Sequence, residues 1–209
     1  MPVTAVRRTQ AERSATTQGK LLDAALDCLV ERGYAGTTTT VVAERAGVSR
    51  GAQLHHFPTR AALVAASVEH LYARLTADYQ RGFAALSPRR ERLRAAIRLL
   101  WSMYTSRHFP AVIELFTAAR SDGELRAHLE PIAARHQRNV YRLAREYFPE
   151  AARLERRFDT ALALILDAMQ GMASSDVQRG PVGVAERLDF LHDIAAAALV
   201  PAAGSAEHR

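Results

Sequence analysis

From Arg45 to Val68 the chain runs 24 positions without a carboxylate, yet it carries Arg45, Arg50, Arg60, His55 and His56 there. At the chain's average acid content, 22 in 209 residues, about 2.5 acids would fall in such a window. A carboxylate beside a phosphate repels it, so an acid-free basic stretch is what a polyanion requires. A guanidinium adds geometry to charge, because its forked N–H donors match the two acceptors of a phosphate or of a guanine edge. Hydroxyls at Thr37, Thr38, Thr39, Thr40 and Ser49 accompany the same stretch. Other groupings offer less chemistry. His55 and His56 are adjacent, and neighbouring helical residues point about 100° apart, which rarely suits one metal ion. No His-x-x-x-His pair and no nucleophile–base pair is present, and the single Cys28 excludes an intrachain disulfide or a Cys-rich zinc site. The segment 180–183, Gly-Pro-Val-Gly, lacks the strand and the Lys-Ser/Thr of a phosphate loop. Catalytic residues, metal ligands and a cofactor are therefore not expected.

The basic side chains need a rigid carrier. Residues 37–57 read as cap, helix, glycine, cap and helix. Thr37 caps a helix from Thr38 to Ala46, in which Val42, Ala43 and Ala46 repeat at three-to-four spacing. The threonine run would also suit a strand, but that apolar spacing favours the helix. Gly47 supplies the left-handed bend, Val48 plugs the gap between the helices, and Ser49 caps a second helix ending near His56. Pro58 stops it, and Thr59 caps a long helix from Arg60 to about Leu86. This is the spacing of a helix-turn-helix, which lays its second helix in the DNA major groove. Upstream, Ser14–Thr17 offer caps for a helix whose Leu22, Ala25, Leu26 and Leu29 form one buried stripe, ending at Gly33. Residues 1–13 are polar and expected to be a flexible arm, with Arg7, Arg8 and Arg13 against Glu12 alone. Such an arm either stays solvated or reaches phosphates.

The 209 residues are 48% hydrophobic and 24% charged, enough apolar material for a core and too much for a disordered chain. Basic residues are 27 Arg and one Lys, and Ala occurs 40 times. Ala, Arg and Leu are strong helix formers, and β-branched residues thin out after Val48, so an all-α fold is expected. A net charge of +6 and a pI near 10.1 lean toward an anionic partner. The N-terminus lacks an apolar signal-peptide core, and the most apolar stretches, 160–173 and 188–200, are short and interrupted by Asp167, Asp189 and Asp193. A soluble, cytoplasmic protein with no membrane partner follows. Further helices are expected at Glu91–Arg107, Pro110–Ala119, Gly123–Phe148 (with Pro131 as a kink or break), Ala151–Ser174 and Val184–Val200.

The residues Gly33-Tyr34, Thr37-Thr38, Val42-Ala43, Ala46-Gly47-Val48-Ser49, Gly51, His55-His56-Phe57, Arg60 and Leu63 resemble the N-terminal domain of the TetR family of bacterial transcriptional regulators. The motif match runs from about residue 16 to 66; beyond it only length and helical layout agree. The resemblance implies a helix-turn-helix head at 14–60, with a ligand-binding and dimerisation core at 61–205. It implies a homodimeric repressor on a palindromic double-stranded DNA operator, released by an unidentified small-molecule effector. An activator or a regulator without an inducer would carry the same head. A helical enzyme and a membrane-surface helix protein are rivals from other classes; no nucleophile–base pair supports the first.

By the same resemblance Thr38 and Thr39 contact phosphate at the start of the positioning helix, and Ser49 and Arg50 open the recognition helix. Arg50 reaches a base edge, with guanine favoured, while Gly51 and Ala52 allow close approach. His56 and Arg60 hold flanking phosphates, and Phe57 anchors the helix. Gln53 and Leu54 depart from the family, which often has an apolar residue and then Tyr. Leu54 cannot make the phosphate contact of that Tyr. Either it packs against a thymine methyl or His55 takes the polar contact, and Gln53 is a candidate for an adenine edge. The central helices carry Trp101, Tyr104, Phe109, Phe116, His136 and Met169, either plain core or the lining of an effector pocket. Phe158, Leu162, Ile165 and Met169 on one helix, with Leu188, Leu191, Ile194 and Ala198 on another, show more apolar surface than one subunit is expected to cover. A four-helix interface between two subunits would bury it; packing within the subunit is the alternative.

Overall fold

The computed structural model describes residues 9–86, 92–175 and 183–199. Among these residues every regular element is an α-helix: α1 Gln10–Gly36, α2 Thr39–Ala46, α3 Arg50–His56, α4 Arg60–Ala84, α5 Arg92–Tyr104, α6 Phe109–Ala118, α7 Gly123–Tyr147, α8 Pro149–Ala152, α9 Arg156–Ser174 and α10 Val184–Leu199. The all-α expectation holds. Residues 1–8, the loop carrying Gly180-Pro181 and the tail from 200 lie outside the described residues.

Several boundaries differ from the sequence reading. α1 starts at Gln10 rather than within Ser14–Thr17, because Thr9 and Glu12 form a capping box: the Glu12 N–H donates to the Thr9 hydroxyl at 3.2 Å and the Thr9 N–H to the Glu12 carboxylate at 2.8 Å. Residues 10–13, assigned above to a flexible arm, are thus helical. Thr38, not Thr37, caps α2, and Thr37 is buried with its hydroxyl donating to the Gly33 carbonyl. The helix expected over 151–174 is split, with Glu155 at φ 45° between α8 and α9. Pro131 lies inside α7 without ending it.

The described residues pack as two units. The first comprises the chain up to Arg74 together with Pro110–Ala133. Its head cluster joins Leu21, Leu22, Ala25 and Cys28 of α1 to Val42 of α2, Phe57 after α3 and Leu63 of α4, with Val48 packed against it. A second cluster joins Leu29, Val64, Ala65 and Val68 to Leu115 of α6 and Leu125, Leu129 and Ile132 of α7. The stripe read from α1 is therefore shared between two partners. The second unit holds Leu75–Phe109 and the residues from Ala134 onward. There Ile97 of α5, Ile165 and Met169 of α9, and Leu188 and Ala195 of α10 make one core. Arg94 of α5 pairs with Asp189 of α10 and approaches His192 Nδ1 at 3.2 Å. Phe83 stacks on Tyr147 at 3.9 Å, and the Arg92 guanidinium lies 4.6 Å from the Phe83 ring centre. α4 and α7 each contribute residues to both units.

Gly33 occupies a conformation open in practice only to glycine, φ 66° and ψ −178°. A β-carbon there would meet the Glu114 carboxylate of α6 at 2.8 Å. Gly33→Ala is expected to destabilise the protein by about 1–3 kcal/mol. Urea unfolding followed by circular dichroism measures this; an unchanged midpoint and slope would contradict it.

Candidate nucleic-acid interface

The bend between α2 and α3 is built locally. Gly47 adopts φ 63° and ψ 37°, and its N–H returns to the carbonyls of Ala43 and Glu44. Val48 N–H bonds the Ala43 carbonyl at 3.0 Å, which holds Ser49 where its hydroxyl accepts from the Ala52 N–H at 3.2 Å. Thr38 likewise accepts from Val41 N–H at 3.2 Å. The first turn of each helix thus begins on an exposed hydroxyl residue, Thr38 or Ser49. First-turn N–H groups lack intrahelical acceptors, so they suit phosphate oxygens. Thr39 lies half-buried beside Thr38.

α3 has seven residues, and its rotation is set by what it buries. Gln53 is 0% exposed, and Phe57, one turn later, is buried in the head cluster. Gln53 Nε2 donates to the Phe57 carbonyl at 2.8 Å and so caps the end of α3, while its Oε1 is buried without a partner among the described residues. The expected adenine contact of Gln53 is therefore corrected: its position, three after Arg50 and four before Phe57, faces the core. With that face turned inward, Arg50, Gly51, Leu54 and His55 are exposed, and Ala52 and His56 lie at the margin. His55 and His56 meet edge to face, 5.6 Å between ring centres.

The three arginines of the acid-free stretch separate into different jobs. Arg45 is exposed, but both its terminal nitrogens reach the Glu31 carboxylate of α1, at 2.5 and 2.6 Å. Arg60 lies 3.8 Å over the Tyr34 ring and donates to the Tyr34 carbonyl, with Nε buried and unpartnered among the described residues. Arg60, expected at a flanking phosphate, is half-buried, with one guanidinium nitrogen and its plane held by Tyr34 at the end of α1. Arg50 makes no ion pair among the described residues. It is the arginine of this stretch left to meet an outside acceptor.

Tyr34 joins α1 to α6 and to the start of α7. Its N–H donates to Glu114 of α6 at 2.6 Å and its hydroxyl to Asp122, before α7, at 2.9 Å. Asp122 also accepts the Leu125 N–H at 2.9 Å, and these bonds hold its carboxyl below the usual carboxylate range. Burial, with the Asp122 bond, pushes the Tyr34 phenol up. The Gly-Tyr pair was a signal, but its acceptors lie 80 and 88 residues away.

The remaining expected residues fall elsewhere. Trp101 and Tyr104 pack against the α5–α9–α10 core, Phe109 meets Tyr104 edge to face at 5.2 Å, and His136 is half-buried, its imidazole pushed below its usual range by burial. The Tyr104 hydroxyl is pushed up to about 12 by burial and by Asp167. Phe116 packs instead in the first unit. Of the stripes assigned to a dimer, Phe158, Leu162, Ile165, Met169 and Leu188 are already buried within the single chain, which corrects that assignment. Leu191 and Ala198 are half-buried. The large apolar side chains left open on α9 and α10 among the described residues are Leu164, Phe190 and Ile194, at 62, 67 and 51% exposure. No helix among the described residues is long and apolar enough to cross a membrane.

Comparison with known proteins agrees with this geometry. Residues 21–67, which contain α2, α3 and the start of α4, match the family model for bacterial regulatory proteins of the tetR family. The chain is 40% identical over 131 residues to the HTH-type transcriptional regulator CymR of Pseudomonas putida, covering 63% of this chain and 64% of that protein. It is 30% identical over 171 residues to the uncharacterized HTH-type transcriptional regulator Rv2912c of Mycobacterium tuberculosis, covering 79% of this chain and 85% of that protein. Among solved structures, that of the multidrug binding protein EbrR complexed with ethidium shares the fold, with a TM-score of 0.64 at 18% identity over 87% of this chain and 97% of that one. The chain belongs to the TetR family of bacterial transcriptional regulators.

Proposed function

We propose that the protein is a homodimeric repressor that binds a palindromic double-stranded DNA operator through α3 and leaves it when a small molecule occupies the second unit. The observation that carries this reading is the exposed face of α3, where Arg50 has no internal counter-ion among the described residues and no acid lies between residues 45 and 68. A guanidinium so placed suits the paired N7 and O6 acceptors of guanine, a contact of about 1–3 kcal/mol in discrimination. Thr38, Thr39 and Ser49 with the first-turn N–H groups, and His55 and His56, serve the flanking phosphates, and Gly51 and Ala52 keep the backbone close to the bases.

Two heads are needed to read two half-sites, and Leu164, Phe190 and Ile194 supply an apolar face for the second subunit. We assign the effector site to the second unit, where Trp101, Tyr104, Phe109 and His136 offer aromatic surface with two half-buried polar groups. EbrR, of the same fold, was solved with a bound small molecule, ethidium. A ligand that favours a dimer with unsuitable head spacing shifts the population off DNA by its differential affinity alone. A repressor of this kind acts in the cytoplasm, where the chromosome lies.

Arg50→Ala is expected to lose preference for an operator selected by the wild-type protein from a random duplex pool, relative to random duplex, while keeping its helicity and its assembly. Competition binding at fixed salt measures this, and a variant with an unchanged preference would remove Arg50 from the interface. Phe190→Asp, at a residue open in the single chain, is expected to convert the assembly to 23.0 kDa subunits in sedimentation. Wild-type protein that already sediments as a monomer at micromolar concentration would overturn the dimer.

A further inference from the structure

We infer that Leu54 is a specificity-determining residue that reads the C5-methyl group of a thymine in each half-site. The inference rests on the proposed entry of α3 into the major groove. Gln53 and Phe57 lock the inward face of α3, so Leu54 cannot turn into the core and stands 46% exposed. Among the described residues the other large apolar side chains so exposed are Leu164, Phe190 and Ile194, all on α9 and α10. Leu54 stands apart from them, between the exposed Arg50 and His55 of a surface otherwise built for a polyanion.

An isobutyl group pressed against a phosphate or a base N–H strips water from a polar group and returns no hydrogen bond. Base edges in the major groove are donors or acceptors, with one apolar exception, the methyl of thymine. That methyl is the partner that Leu54 can desolvate at a gain. Gly51 has nothing within 4 Å of where a β-carbon would stand, so no side chain props α3 away from the bases. Leu54 lies four residues after Arg50, about 6 Å further along α3. With bases about 3.4 Å apart along a strand, the thymine falls one or two base pairs from the guanine that Arg50 reads.

The test begins with duplexes selected by the full-length protein from a random pool. Each thymine of the selected operator is then replaced, one position at a time, by deoxyuridine, which removes only the methyl. Affinity is read by fluorescence anisotropy at one salt concentration. One deoxyuridine per half-site, next to the essential guanine, is expected to weaken wild-type binding about three- to tenfold. Leu54→Ala, with unchanged helicity, is expected to bind the thymine operator more weakly and to treat thymine and uracil alike there; Leu54→Met is expected to keep the preference. Wild-type protein indifferent to uracil at every position, or Leu54→Ala retaining the full discrimination, overturns the assignment while leaving DNA binding intact. A pool that enriches no sequence overturns the DNA reading itself, and this inference with it.

Discussion

The hydrogen bond from Gln53 to the Phe57 carbonyl, inside the head's apolar cluster, decides which side of α3 the solvent sees. A helix of seven residues has no stability of its own, so its rotation comes from packing and capping. Ser49 holds the first turn and Gln53 the last, and between them no freedom remains to exchange faces. Every functional statement about Arg50, Leu54 and His55 depends on that lock. The buried Gln53 Oε1 without a partner among the described residues marks the cost of using an amide where an apolar side chain would fill the same volume.

Charge in the head works at two ranges. The acid-free stretch sets a long-range field that draws in a polyanion whatever its sequence. Contact is a narrower matter, because Arg45 is held by Glu31 and Arg60 by Tyr34. Their charges still count toward the field, though Arg45 is paired with Glu31 and one nitrogen of Arg60 is held by the Tyr34 carbonyl. Tyr34 also ties the end of α1 to Glu114 of α6 and to Asp122, so the first unit is held by polar contacts as well as by its two apolar clusters.

The helix-turn-helix was legible because its signals are local: Gly47 must bend, Ser49 must cap, and Pro58 must stop. Periodicity found the stripe on α1 for the same reason. What failed depended on the neighbour. Gln53 is polar, so its type pointed outward, but its spacing from Phe57 points inward, and spacing won. The partner that orients Arg60 was equally illegible, a tyrosine 26 residues earlier. The stripes on α9 and α10 were apolar as read, yet periodicity cannot say which partner covers a face. Phe158, Leu162 and Ile165 turned to their own subunit, and the residue singled out as most exposed, Phe190, lay outside the stripe. The Thr9–Glu12 capping box was readable and went unused.

The most direct test of the account is methylation interference on the selected operator. Methylation of guanine N7 blocks the major groove and methylation of adenine N3 the minor groove. The account predicts that a methylated guanine in each half-site abolishes binding, while adenine N3 methylation at the neighbouring A·T pairs is tolerated. Interference confined to adenine N3, or none at any guanine, would contradict an α3 that reads the major groove through the face left open by Gln53 and Phe57.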